Sequence, residues 1–547
     1  MKNNIIMKSM NKFFAICLGA ILVLSSCETA ELDLTTNPNA LDPAQADADF
    51  FLNAIQEDFA GWSHTIGNIG SDLTRITYLY GRVYAQAYDP GDFNGTWSDA
   101  YQVMLEDIRL LNILAESRPY ALGMGEVMEA YIYLTLVDYF GDVPQADALK
   151  GGDGVLNPLK TAGVDVYAHA IGKLDAAIAN FTTGGGAPAN DFFYKGDATK
   201  WIKAANSLKM QAYWNTEDIT AYNAIKVSGN YISTPADDFQ FQWGTSPNQP
   251  DTRHPDYRNS YRPTGGSAYM SNWMMNTMLQ GAKPEAEEQG IPDPRLLYYY
   301  YRQVESTPGF DLSEANEEVL ECGVPGYFNP YGEGNLFCSP GRGYWGRDHG
   351  NDNGTPPDTF FRTLHGVYPA GGKYDDRTFK SQVNGAGAGG AGITPIMLSS
   401  WMHFMNAYVA GVGSAEAQTE TEAGISDSLD KVSGFAGSAP MDATTVTNYK
   451  DAFVSAWTRP GVTDAEKANL WAKQYWISLM GNGSNAYNSY RKTGLPTDLQ
   501  PNIEPNPGAF PLSMWYPNNF VTRNQSTDQK ANLVQAVFWN TSTPSLK

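Results

Sequence analysis

The run Asp348-His349-Gly350-Asn351-Asp352-Asn353-Gly354 is dense in oxygen donors and has the chemistry to hold a hard cation such as calcium. Its candidate ligands are Asp348, Asn351, Asp352 and Asn353. The run departs from EF-hand spacing, because Phe360 stands where a bidentate Glu belongs, and the same residue types build hydrogen-bonded turns without any ion. The run Gly385-Ala386-Gly387-Ala388-Gly389-Gly390 fits the GxGxxG pattern of phosphate-binding loops. No strand pattern precedes it, so it reads as a flexible Gly-Ala loop. Six histidines are scattered along the chain and show no zinc-ligand spacing. HExxH, GxSxG and P-loop signatures are absent. A glycoside hydrolase needs two carboxylates flanking the sugar, and no motif selects such a pair from the 59 acidic residues. Apart from the calcium candidate, no cofactor is expected.

Cys17 and Cys27 lie near the N-terminus, which leaves Cys322 and Cys338. In an exported chain they read as a disulfide closing a loop of about 15 residues, a contribution of roughly 3 kcal/mol. The alternative is two free thiols.

Aromatic residues make up 13% of the chain, enough to fill a core and leave some on loops, where flat rings pack against the C–H faces of sugars. Two groups are candidate ligand-binding residues. Trp62, Asp72, Arg75, Tyr80 and Tyr84 lie toward the N-terminus. With Tyr88, the last two have the i, i+4, i+8 spacing that one helix would align. Trp243, Tyr257, Tyr261, Arg262, Tyr344 and Trp345 lie in a middle region rich in Gly, Pro, Asn and Tyr. Packing in the core competes with a binding role at each of these positions.

The N-terminus carries an address. Lys2, Lys8 and Lys12 precede the uncharged stretch Phe13 to Leu24, and Ser25-Ser26 lead into Cys27. A basic region, a short apolar region and a small-residue processing site form a secretory signal, too short to span a membrane as a helix. Leu24-Ser25-Ser26-Cys27 resembles a bacterial lipobox, which implies that Cys27 is acylated and begins the mature chain. Residues 1–26 are then a signal peptide, and residues 27–47, rich in Asn, Pro, Thr and Asp, a lipidated tether. The net charge of -22 becomes three units more negative once the signal lysines are removed, which argues against nucleic acid or an anionic membrane surface as partner.

The elements that position these residues are mostly helical. Trp97, Tyr101, Met104, Leu105, Ile108, Leu111 and Ala115 form an amphipathic stripe that Arg118-Pro119 ends. A helix from about Glu126 to Phe140 is apolar on most sides, so it is expected to be buried. Gly141-Asp142-Val143-Pro144 stops it. Further stripes run through Tyr167, Ala170, Ile171, Leu174 and Ile178, and through Trp201, Ala205, Leu208 and Ala212. From about Ser233 to Thr394 only Ser271 to Gln280 is clearly periodic, and binding residues concentrate on such loops. Pro395 is placed in the first turn of a helix through Tyr408. Thr463-Asp464-Ala465-Glu466 is a capping box for a helix carrying Leu470, Trp471, Tyr475 and Leu479.

Several of these segments together resemble the SusD/RagB family of Bacteroidetes outer-membrane lipoproteins. They are Trp97-Ser98-Asp99-Ala100-Tyr101, Glu129-Ala130-Tyr131-Ile132-Tyr133 through Pro144, Asp293-Pro294-Arg295-Leu296 and Tyr490-Arg491-Lys492-Thr493-Gly494-Leu495-Pro496. Gly196-Asp197-Ala198-Thr199-Lys200-Trp201 through Lys209 is similar to the corresponding segment of the SusD-like-2 branch. Glu28 and Glu31, just after the lipobox cysteine, resemble a surface-export signal. Leu398 to Ala407 departs from the family's C-terminal helix, which marks a divergent branch. The resemblance implies a mostly α, TPR-like helical-repeat scaffold (residues 48–232 and 395–547) carrying a loop-rich ligand-binding region (233–394). It implies a non-enzymatic, surface-exposed nutrient-binding lipoprotein. Such a protein captures oligosaccharide and acts as a lid on a SusC-like TonB-dependent outer-membrane transporter. A peptide-binding importer subunit and a lipid-anchored glycoside hydrolase are the alternatives.

Overall fold

The computed structural model describes residues 47–263, 266–282, 290–306, 340–352 and 362–542. Cys27 with the segment before it, Cys322, Cys338 and Asn353 lie outside the described residues.

Asp47 caps the first helix, α1 (Ala48–Leu73), by accepting the Asp49 amide. Leu52, Ile55, Phe59, Trp62, Ile66, Ile69 and Leu73 repeat at alternating spacings of three and four and are all buried. The Trp97 stripe becomes one rod in three parts: helix Asn94–Ser98, a π-helical turn Asp99–Met104, and α2 (Leu105–Leu114). Pro119 then opens α3 (Pro119–Phe140), where its missing N–H costs nothing. Every residue of α3 from Val127 to Phe140 is buried, as its all-round apolarity requires. Gly141, at φ 78°, terminates it. α4 (Gly163–Thr183), α5 (Ala198–Thr216) and α6 (Ile219–Ser228) follow, each packed on its predecessor.

The Gly196–Lys209 segment has a structural explanation. Asp197 caps α5 by accepting the Thr199 and Lys200 amides. Trp201 Nε1 donates to Asp191 at 2.8 Å, and Asn206 donates to the Asn230 carbonyl at 2.8 Å. Ser207 accepts the Ile232 amide at 2.9 Å. Trp201, Asn206 and Ser207 thus fasten α5 to the chain around it.

The middle region has only short elements among its described residues. β1 (Phe239–Gln242) and β2 (Tyr300–Tyr301) pair antiparallel with β4 (Ile393–Met397) and β3 (Leu364–His365) respectively. α7 (Asn272–Gln280) is capped by Ser271. Pro395 does not start a helix: it lies in β4. Proline is tolerated there because β4 has one partner strand and the register is irregular between Phe239 and Gln240, opposite it. The helix begins four residues later, at Ser399.

The C-terminal part comprises α8 (Ser399–Val409), α9 (Ala415–Ser433), α10 (Ala443–Thr458), α11 (Asp464–Ser478) and α12 (Gly483–Thr493). Both halves of the Thr463/Glu466 capping box form. Asp293 and Arg295 make a fully buried bidentate pair, with contacts of 2.9 and 2.6 Å. Arg295 also donates to Ser428 on α9 and to Gln474 on α11, and Asp293 accepts from Tyr449 on α10. The Asp-Pro-Arg motif thus ties a loop to three helices.

α12 lies directly against α1. A methyl group on Gly483 would sit 2.0 Å from the Ser71 amide nitrogen and 2.1 Å from the Gly67 carbonyl oxygen. Only glycine permits this backbone approach, which fixes the C-terminal half of α1. No helix among the described residues is long and apolar enough to cross a membrane.

Candidate functional site

The fixed end of α1 forms one wall of a cleft of about 430 Å³. Asn68 and Asp72 face it from α1. Beyond Thr74 the chain turns sharply at Arg75, a non-glycine residue at φ 65°. The turn is held from inside: Arg75 Nε donates to the Gln500 carbonyl at 2.7 Å and Nη2 to the Tyr84 hydroxyl at 3.0 Å. It returns Thr77, Tyr78 and Tyr80 across the helix end, where Thr77 bridges to Met270. The opposite wall comes from the middle region: Asp256 and Asn259 of the short helix Pro255–Ser260, Ser267 to Tyr269, Arg347, and His365 on β3.

Tyr80 is 65% exposed, unusual for a tyrosine in this aromatic-rich chain. Tyr78 meets Tyr80 edge-on at 6.5 Å and Tyr269 edge-on at 6.0 Å, so the three rings form a continuous wall. The Arg347 guanidinium lies 4.3 Å from the centre of the Tyr269 ring. Asp72 accepts the hydroxyls of Thr77, at 2.6 Å, and of Tyr88. Burial pushes its carboxyl up to about 7, against the opposing pull of those two hydroxyls. An aromatic wall with amide, carboxyl and guanidinium groups around it can bind a polyhydroxylated ligand by ring stacking and hydrogen bonds.

Of the residues nominated from sequence, Asp72 and Tyr80 line this cleft. Arg262 stands behind it, exposed and donating at 2.8 Å to the cleft residue Asn259. Trp243 is half-buried, with Nε1 on Thr394 at 2.9 Å. The others are interior. Trp62 donates to the Thr96 carbonyl. Tyr84 bonds Arg75 and His349. Tyr257 and Tyr261 stack on each other at 4.5 Å. Tyr344 carries the Arg302 guanidinium, and Trp345 is 2% exposed. Tyr80, Tyr84 and Tyr88 do not share a helix: the helical turn there is only Tyr84–Ala87, flanked by the exposed Tyr80 and the half-buried Tyr88. The cleft residues without a signal in the sequence include Asn68, Tyr78, Asp256, Asn259, Tyr269, Arg347 and His365, which are spread over some 300 positions.

Two groups of side chains bear on metal binding. In the acidic loop, Asp348 accepts from Asn272 at 3.1 Å, while Asp352 pairs with Arg82. The two carboxylates therefore serve different partners. Beside the cleft, by contrast, His64, His254 and Asp256 place their donor atoms within 4.8 Å of one another, with His365 alongside. Burial favours the neutral acid at Asp256, but the histidines outweigh it and hold the carboxyl well below the usual range. Burial holds the His254 imidazole down at about 3, so this ring is neutral near pH 7.

A larger cavity of about 670 Å³ lies among α2, α3, α4 and the loop after α3. Of its charged residues, Arg109 pairs with Glu106 and Lys173 with Glu129, Lys150 and Asp153 are exposed, and no exposed ring stands in it.

Residues 38–308 match the SusD-like_2 family, described as starch-binding and associating with the outer membrane. No curated protein matches the chain. Among solved structures, a SusD/RagB family protein from Bacteroides thetaiotaomicron superposes with a TM-score of 0.63 at 17% identity, covering 91% of this chain and 100% of that one. A SusD homologue from Bacteroides fragilis gives 0.59 at 17% identity over 91% and 99%. A chitin-binding SusD homologue from Flavobacterium johnsoniae gives 0.57 at 16% identity over 90% and 99%. The helical, TPR-like fold is common to all of these. Over residues 38–308 this chain belongs to the SusD-like_2 family, and its fold is that of the SusD/RagB proteins.

Proposed function

We propose that this protein is a cell-surface nutrient-binding lipoprotein that captures oligosaccharide in the Tyr78–Tyr80–Tyr269 cleft. It delivers the ligand, as a lid, to a SusC-like TonB-dependent outer-membrane transporter. Acylated Cys27 anchors it, and the tether to residue 47 gives the folded body room to move. It binds without catalysing. The observation that carries this reading is Tyr80, a 65% exposed ring beside a cleft rich in hydrogen-bonding groups. The starch-binding description of the family and the chitin-binding relative support a glycan as the ligand class.

The test is calorimetric titration with a panel of starch-, chitin- and xylan-derived oligosaccharides alongside peptides. The expected result is binding of one glycan class with no hydrolysis products on prolonged incubation. Binding of peptides alone, or release of shortened glycans, contradicts it.

A further inference from the structure

Two histidines and an aspartate far apart in sequence converge at the floor of the cleft. His64 comes from α1, His254 and Asp256 from the start of the short helix that follows β1. His64 Nε2 lies 3.3 Å from Asp256 Oδ1, and His254 Nδ1 lies 3.9 Å from Oδ2. His365 Nε2, from β3, is 3.7 Å from Oδ2. In tetrahedral zinc sites the metal–nitrogen distance of 2.0–2.1 Å puts neighbouring donor atoms about 3.3 Å apart. His64 Nε2 meets this distance to Asp256, whereas the other donor separations are longer, though all within 4.8 Å, so closing on an ion requires side-chain rotations.

The surroundings match what ligating imidazoles need. His254 Nδ1 accepts the Asp256 amide at 3.1 Å, which fixes this nitrogen as the unprotonated one, and the ring donates to the Ile393 backbone. His365 Nδ1 pairs with Ser260 Oγ at 2.7 Å, orienting Nε2 toward Asp256. His64 Nε2 also has Asn68 at 3.0 Å. His254 and His365 are thus oriented through their second nitrogen, and imidazoles converging on a carboxylate form a ligand set for borderline metals.

We propose that His64 Nε2, His254 Nδ1 and the Asp256 carboxylate bind a divalent transition-metal ion of the zinc class, with the fourth position left open on the side of the neighbouring His365. Binding exchanges the contacts of His254 with the Asp256 amide and of His64 with Asn68 for coordination. Asp256 and His365 line the cleft, so the ion sits at its floor and presents a Lewis-acidic position to whatever the cleft holds. Only that last consequence rests on the cleft being the ligand site.

The test uses metal alone, without glycan. Tag-free protein is stripped with chelator, dialysed, and titrated with Co²⁺ while visible absorption is recorded. Zn²⁺ uptake is measured by elemental analysis. One equivalent of each metal, with the intense d–d bands of four-coordinate cobalt displaced by Zn²⁺, is the expected result. His64→Gln and Asp256→Asn should each weaken uptake at least tenfold with the far-UV circular dichroism unchanged. Absence of d–d bands in the wild-type protein overturns the proposal, and so does undiminished uptake in both folded variants. The wild-type spectrum reports ligation directly, so the outcome holds even where a variant fails to fold. Failure here leaves the glycan panel unaffected, and failure of that panel leaves the cobalt spectrum unaffected.

Discussion

Asp72 is the residue at which cleft chemistry and stability meet. Its carboxyl is raised by burial to about 7, while an unfolded Asp titrates near 3.9. Below about pH 4 the group is protonated in both states. Between pH 4 and 7 the unfolded chain gives up its proton and the folded chain keeps it, so this group's contribution to stability falls as pH rises, then levels off above 7. Asp72→Asn removes the ionisable group and keeps the shape. Its stability relative to wild type should therefore climb from pH 4 to 7 by about 2–4 kcal/mol and stay constant above. Denaturant melts at pH 4, 5.5, 7 and 8 check this, and a difference that is flat with pH contradicts it. The same scale shows where sequence reading runs out. Tyr80 and Tyr84 have the same chemistry and neighbouring positions, yet one is 65% exposed and the other 2%. Their spacing suggested a shared helix, but the helical turn begins only at Tyr84, whose hydroxyl accepts from the buried Arg75, and Tyr80 lies before it. The histidines gave no zinc spacing because their proximity is created entirely by tertiary structure, His64 and His254 being 190 positions apart.

At the scale of elements, periodicity was a good guide where packing confirms it. The stripes at Trp97, Tyr167 and Trp201 became helices, and the capping box at Thr463 formed in full. α1, which carries Trp62 and Asp72, was not among the expected helices, although its apolar spacings of three and four are of the same kind. Pro395 misled because proline suits a helix's first turn and an edge of a two-stranded ladder alike. Two contacts should dominate the mutational response. Gly483→Ala drives a methyl group into the backbone of α1, so the helices must part. A loss of about 1–3 kcal/mol is expected, together with weakened ligand binding, because Asn68 and Asp72 move with α1. Arg295→Ala leaves the Asp293 carboxylate buried without its partner and should cost about 3–5 kcal/mol. Arg295→Met with Asp293→Leu should recover part of that loss. Thermal melts separate these cases, and an Arg295→Ala protein as stable as wild type would refute the role given to the pair.

For the whole molecule, a folded body from Asp47 onward follows an N-terminal segment whose only inferred role is address and attachment. The helical layer was legible because each helix announces its buried face, whereas the cleft joins α1 to loops nearly 300 residues away and has no local signature. Purification of the intact protein from its native membrane should bring a large TonB-dependent barrel with it. Cys27→Ala should release the chain from the membrane fraction while leaving its soluble glycan affinity unchanged. The claim on which the rest depends is that the tyrosine cleft is where ligand binds. Its most direct test is calorimetry of wild type, Tyr80→Ala and, as a control in the larger cavity, Arg109→Ala against the oligosaccharide that the panel selects. Tyr80→Ala should weaken binding about tenfold or more, equivalent to about 1.4 kcal/mol, with unchanged melting temperature, and Arg109→Ala should bind as wild type does. Equal affinity for wild type and Tyr80→Ala, or loss confined to Arg109→Ala, would contradict the account.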